Sequence, residues 1–265
     1  MNNKGVKKRN WKDTVIVALM IAIIALILSG VISYINFSGR TDDKNNEPTN
    51  KKEYENLNVT DNLVTDLFAL TRGNNTSLFF GTQYENVYYS KDKINTNELN
   101  VEFKLMLSFV TLDRDKFSLD GETTVIEEKD LKEQYLKIFG DNDYKAQDIK
   151  YNCPSTVHYN PEKNRFEYDE YCGGPLNYGY QNKLIEARKY SDKIEIYEKV
   201  VFYLLEEDTN RITYWKNSDC SDLILEAEID DDFDINNHLE VLKTYKYTFE
   251  KNDASYTFEK VELMK

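Results

Sequence analysis

Residues 14–35 read TVIVALMIAIIALILSGVISYI, 22 positions without a charged side chain. At ~1.5 Å per residue, a helix of that length crosses the ~30 Å hydrocarbon core of a bilayer. Backbone polar groups in lipid must be satisfied within the segment, so a run that enters the membrane there must be helical. A cleavable signal peptide has an apolar core of only ~7–15 residues and a small-x-small exit. Here the run is longer, and Ser29, Gly30 and Ser33 lead on into further apolar residues with no cysteine nearby to carry a lipid. The expectation is an uncleaved transmembrane helix over residues 14–36, with the lipid bilayer as its first partner.

The flanks orient it. Lys4, Lys7, Lys8, Arg9 and Lys12 precede the span against a single Asp13, whereas Arg40 and Lys44 follow it among Asp42, Asp43 and Glu47. The positive-inside bias makes residues 1–13 a cytoplasmic tail and puts the C-terminal part outside the cell membrane, in a single-pass arrangement. Trp11 and Tyr34 bracket the span as interfacial aromatics do. Ala18, Ala22, Ala25, Ser29 and Ser33 are spaced four, three, four and four, one narrow stripe of a helix. Small residues on one face let two spans approach closely, so a homodimer through this stripe is expected. Residues 37–57 have almost no apolar content and read as a flexible linker.

The remainder, residues 58–265, is long enough to bury its own core. The chain carries a net charge of −13. The basic tail contributes +4 of this, so everything beyond it is more acidic still, which disfavours nucleic acid as a partner. Abundant Asn, Lys, Ile and Tyr with scarce Ala, Gly and Pro match AT-rich codons and a low-GC bacterium. Helical periodicity appears over residues 60–71 (Leu63, Leu67, Leu70), after Asn95 with Glu98 as capping partner (Leu99, Phe103, Met106, Val110), and over 128–139 (Leu131, Tyr135, Ile138, Phe139) with Gly140 as the stop. Beyond residue 148 the period becomes two. Strands are expected at 149–159, 165–171, 181–190, 194–204, 211–216, 244–250 and 255–262, with Tyr247 opposite Phe258 and Phe249 opposite Tyr256 in the last pair. Helices followed by an antiparallel meander sheet make an α+β domain, of which a curved sheet wrapping helices, as in NTF2-like or cystatin-like folds, is one form.

One hairpin can be read residue by residue. The turn Asn160-Pro161-Glu162-Lys163-Asn164 closes it so that paired numbers sum to 325, which sets Tyr159 opposite Phe166, His158 opposite Glu167 and Cys153 opposite Cys172. Apolar Cys153, Val157, Tyr159, Phe166, Tyr168 and Cys172 then share one face, and polar Thr156, His158, Asn160, Arg165, Glu167 and Asp169 the other. Directly opposite cysteines on an oxidising side of the membrane predict a Cys153–Cys172 disulfide. Two buried thiols, or pairing with the third cysteine, Cys220, are the alternatives.

The stretch VYYSKDKINTNELNVEFKLMLSF, the Ile138-Phe139-Gly140 helix end, Cys153 with Cys172-Gly173-Gly174, and the closing YKYTFEKNDASYTF resemble a loose group of uncharacterised single-pass membrane proteins of low-GC bacteria. The resemblance covers most of residues 85–263. It implies architecture and topology, and no activity.

Catalytic motifs are scarce. On a strand, the odd separation of Cys153 and His158 puts them on opposite faces, so no local nucleophile–base pair forms. His238 has no partner visible in sequence. Asp230, Asp232 and Asp234 fit the first ligands of a calcium loop, but Ile235 replaces its glycine and Val241 its closing glutamate. Asp113-Arg114-Asp115 and Asp141-Asn142-Asp143 read as capping turns, and no phosphate-binding, zinc-protease or serine-hydrolase motif occurs. No cofactor, metal or catalytic residue is assigned. Two functions remain: a non-enzymatic extracytoplasmic module that binds, senses or interacts, or a surface hydrolase acting on wall polymer through paired carboxylates.

Overall fold

A computed structural model describes residues 54–72, 87–140, 143–150, 156–168, 178–206, 210–229, 233–253 and 255–265, all within the unit Lys52–Lys265. The expected span with its small-residue stripe and basic tail, most of the linker, Cys153, Cys172 and Asp230 to Asp232 lie outside the described residues.

The chain enters through β1 (Glu55–Leu57) and helix α1 (Asn62–Ala69), whose Val64 and Leu67 turn inward. After helical residues 87–89, β2 (Lys93–Asn95) leads to a single 3-10 turn and then to α2 (Val101–Val110). Here the expected cap is corrected. Asn95 does bond Glu98, Nδ2 to Oε1 at 2.6 Å, but that bond closes only the 3-10 turn. The α-helix is capped by Asn100, whose Oδ1 accepts from the Phe103 N–H at 2.7 Å. Every residue from Phe103 to Phe109 is buried, so α2 is a central helix rather than a surface one.

A short hairpin follows, β3 (Phe117–Asp120) and β4 (Thr123–Glu127), turning at Gly121 with φ +70°. Then comes α3 (Glu128–Phe139), as the periodicity requires: Leu131, Tyr135, Ile138 and Phe139 are buried, and Gly140 ends the helix in the left-handed conformation, φ +63°. Its N–H reaches back to Leu136 O at 2.8 Å.

The expected strand at 149–159 is two antiparallel pieces, β5 (Ile149–Lys150) and β6 (Thr156–Asn160). β7 (Arg165–Tyr168) pairs with β6 in the expected register: His158 faces Glu167, Tyr159 faces Phe166 and Asn160 faces Arg165. The long strands come next, β8 (Tyr178–Lys189) and β9 (Lys193–Glu206), then β10 (Arg211–Trp215), β11 (Leu223–Glu228), β12 (Thr244–Asn252) and β13 (Ser255–Met264). In the last hairpin Phe249 faces Phe258 and Tyr247 faces Val261, with an irregularity after Thr248. This corrects the expected pairing. Pairing of Asn252 with Ser255 moves the register by two, which keeps the faces, and the bulge then adds one more step.

The architecture is α+β with antiparallel pairing throughout the described residues, but it is not one meander. One sheet has eight strands in the order β1-β8-β9-β12-β13-β2, with β10 and β11 branching from β9. The second has five, β3-β4-β7-β6-β5. β9 makes the branch because it is long: its first half pairs with β12, and the same edge further on pairs with β10. The helices and one face of each sheet share a single core that includes Phe103, Ile126, Phe166, Ile196, Phe202 and Phe249. A smaller cluster of Val201, Ile212, Tyr214 and Leu242 sits on the other face of β9 and β10.

Candidate functional site

β9 begins KIEIYEKVVFYLL, and alternation decides which of its side chains meet the core. Ile194, Ile196, Val200 and Phe202 point into it. Glu198 falls in the same phase and is 0% exposed. Its neighbours across the sheet are Leu184 on β8 and Tyr245 on β12. A carboxylate placed there needs a counter-charge. Arg72 supplies it from the turn just after α1.

The contact is specific. Arg72 Nη2 lies 2.5 Å from Glu198 Oε2, with side chains 9% and 0% exposed. The same nitrogen donates to Tyr247 Oη at 2.7 Å and to the hydroxyl of Tyr89. Tyr89 Oη donates in turn to Glu198 Oε2 at 3.0 Å and lies 3.1 Å from Tyr247 Oη. Four rings surround the guanidinium carbon: Phe68 at 4.7 Å, Tyr180 at 5.1 Å, Tyr247 at 5.6 Å and Tyr89 at 5.9 Å. Tyr88 Oη donates to Thr71 O at 3.0 Å and ties helical residues 87–89 to the turn that carries Arg72.

Burial alone would lower the Arg72 pKa, but Glu198 and the surrounding tyrosines raise it well above its ordinary value. For Glu198 burial is the larger effect and holds the carboxyl above the usual carboxylate range, against the pull of Arg72, Tyr247, Tyr89 and Asn182. Burial likewise holds Tyr247 well above the usual phenol range. Hydrogen bonding is incomplete: Arg72 Nε and Nη1 and Glu198 Oε1 are buried without a partner. The pair meets end-on rather than as a two-pronged fork.

A second polar group covers the opposite face of the same strands. Arg188 grips Glu186 with two bonds, Nε to Oε1 at 2.6 Å and Nη2 to Oε2 at 2.9 Å, and reaches Tyr197 Oη at 3.0 Å. Tyr197 and Tyr190 donate to Glu195 Oε2 at 2.9 and 3.1 Å, and Lys193 donates to its other oxygen. Burial would push the Glu195 carboxyl up, but the bonds from Lys193 and Tyr197 and the charges of Lys246 and Lys193 outweigh it and hold it at about 2. Each carboxylate of this face is thus matched by cationic or phenolic partners.

The residues singled out by sequence are dispersed. His158 is exposed, with Nδ1 3.3 Å from Asp148 Oδ2, and faces Glu167 as expected. His238 stacks on Phe233 with ring centroids 4.9 Å apart. Asp234 accepts the Asn236 N–H at 2.9 Å, a local turn. Asp143 accepts from Lys104 at 3.0 Å and Tyr135 at 2.6 Å, so it tethers a buried lysine rather than capping a helix. Cys220 is a free, half-buried thiol at φ +54°. Among the described residues there is no cluster of metal-ligating side chains and no helix long and apolar enough to cross a membrane. Two open depressions are present, one of about 280 Å³ lined by Glu127, Glu128, Lys129, Lys132 and Asn164, and one of about 160 Å³ lined by Asn100, Glu102, Phe103, Met106 and Lys150.

Sequence reasoning missed Arg72, Tyr89, Glu198 and Tyr247 as a group. One signal was there: Glu198 interrupts the apolar phase of Ile194, Ile196, Val200 and Phe202. No family model, no curated protein and no solved structure matches this chain.

Proposed function

We propose that this chain is a single-pass membrane protein whose extracytoplasmic α+β domain is a non-enzymatic binding or sensing module. The observation that carries the reading is the 22-residue uncharged run at 14–35, with five basic residues before it. The resemblance to anchored proteins of low-GC bacteria supports the same topology. The buried Arg72–Glu198 group favours binding over turnover, because its charges are matched and its tyrosine hydroxyls are engaged with each other. At finer grain we read the long strands β8, β9, β12 and β13, with helices against their core face, as a curved sheet of the NTF2-like or cystatin-like kind.

The test of topology is protease added to intact protoplasts carrying a C-terminally tagged chain. Digestion of the tag is the expected result, and protection of it removes the orientation. In the same reading the stripe Ala18, Ala22, Ala25, Ser29 and Ser33 is a homodimer contact. Replacing Ala22 and Ser29 by Leu then lowers a membrane two-hybrid signal, and an unchanged signal counts against the contact.

A further inference from the structure

We propose that the cage over Glu198 is a binding site for a guanidinium group brought from outside, and that Arg72 occupies it as an internal stand-in. The inference rests on the reading of this domain as a binding module but is independent of its topology, so it survives a failed protease test.

The cage and its occupant come from different parts of the fold. Glu198 is on β9, Tyr180 on β8, Tyr247 on β12 and Tyr89 on helical residues 87–89. Together they supply a carboxylate and three of the four rings; Arg72 and Phe68 arrive on one segment, α1 and its following turn. α1 has eight residues, too few to be stable by itself, so the segment is held by tertiary contacts: Val64, Leu67, Leu70, Thr71 and Arg72 are buried, and Thr71 O accepts from Tyr88 Oη.

The fit of Arg72 is poor for a permanent strut. One nitrogen makes all its polar contacts, while Nε, Nη1 and the facing Glu198 Oε1 are buried and unpartnered. Each such atom carries a desolvation cost that no bond offsets. A guanidinium free of the α1 tether can turn so that two N–H groups meet both carboxylate oxygens, which satisfies Oε1 and one further donor. Phe68 and Tyr180 are half-buried, whereas Tyr89 at 7% and Tyr247 at 0% exposure lie deeper. The cage also selects chemistry. A flat, delocalised cation stacks on rings and forks a carboxylate, and an ammonium does only the first of these weakly.

The test titrates the full chain, purified in detergent and labelled at tyrosine, with methylguanidinium, reading ring chemical shifts. The expected result is saturable movement of Tyr89, Tyr180 and Tyr247 in the wild type. In Arg72→Ala the midpoint falls at least about tenfold, because the competing occupant is gone. In the double variant Arg72→Met with Glu198→Gln, which keeps the site filled and neutral, no saturable shift remains. L-arginine and an arginine-containing tripeptide then compete with the probe: the stronger competitor identifies a free amino acid or a peptide side chain as the source, and competition by neither overturns the proposal. An equal response to methylammonium overturns the guanidinium assignment. A wild type without saturable shifts overturns the proposal even if Arg72→Ala binds, since Arg72 is then a fixed strut. If Arg72→Ala does not fold, the wild-type titration decides alone.

Discussion

Glu198→Gln tests how much the domain depends on its buried ion pair. The substitution keeps the shape of the side chain and one acceptor oxygen, and removes only the counter-charge of Arg72. At the 2.5 Å separation and an effective dielectric of ~20, the gross attraction lost is about 6–7 kcal/mol. Part of it is offset because one fewer charge is desolvated. What remains is an uncompensated guanidinium, 9% exposed, and breaking a buried pair in this way costs about 3–5 kcal/mol. Against a typical stability of ~5–15 kcal/mol, that is a large fraction of the whole. Arg72→Met should cost a similar amount, by stranding the carboxylate. The double variant should recover most of the loss, to within about 2 kcal/mol of the wild type, because a neutral, filled site has no stranded charge. Urea unfolding followed by the fluorescence of Trp215 measures all three. A single variant less than about 1 kcal/mol below the wild type would refute the reasoning, as would a double variant whose loss equals the sum of the singles.

Three further outcomes are expected. Glu195 sits at about 2 in the folded domain against a usual 4.5, so its ionised form is favoured by folding. Its contribution, about 2 kcal/mol after screening by water, is present above pH ~4.5 and lost as pH falls towards 2; Glu195→Gln should flatten that limb of the stability–pH curve, and an unchanged limb would place the acid sensitivity elsewhere. Gly140→Ala should lower stability by about 1–2 kcal/mol, because φ is +63° and a Cβ would meet Thr257 Cγ2 at 3.0 Å; an unaltered melting temperature would mean the cap relaxes freely. Non-reducing peptide mapping should find Cys153 linked to Cys172, a bond worth ~3 kcal/mol in the chain-entropy model, and free thiols at both positions would remove it.

Local chemistry carried part of this fold in plain sight. α3 was legible end to end because amphipathic spacing, acidic residues in its first turn and a glycine past its last all lie within one stretch of chain. The β6–β7 register was legible too, since Asn160 to Asn164 close the turn and a one-residue slip would reverse every face. The β3–β4 hairpin could have been read from Gly121-Glu122, the two-residue turn between two short strands, but the strands are too brief to show a period. β11 reads LILEAE, with no clean alternation, because its pairing shifts register between Leu223 and Leu225 and both Ile224 and Leu225 pack against the smaller core.

What the sequence alone determined is therefore local: the charge-free run and its flanks, the α+β succession, one helix with its stop and one hairpin with its register. The tertiary structure decided everything that joins distant residues. It separated the strands into two sheets and gave the larger one a branch, because the length of β9 lets one edge serve both β12 and β10. It made α2 a central helix and buried Lys104 beside Asp143. It also brought Arg72 to Glu198 across 126 positions. Burial converts each charge into a demand for a partner, but it does not say where along the chain that partner lies, and only the packed fold answers this.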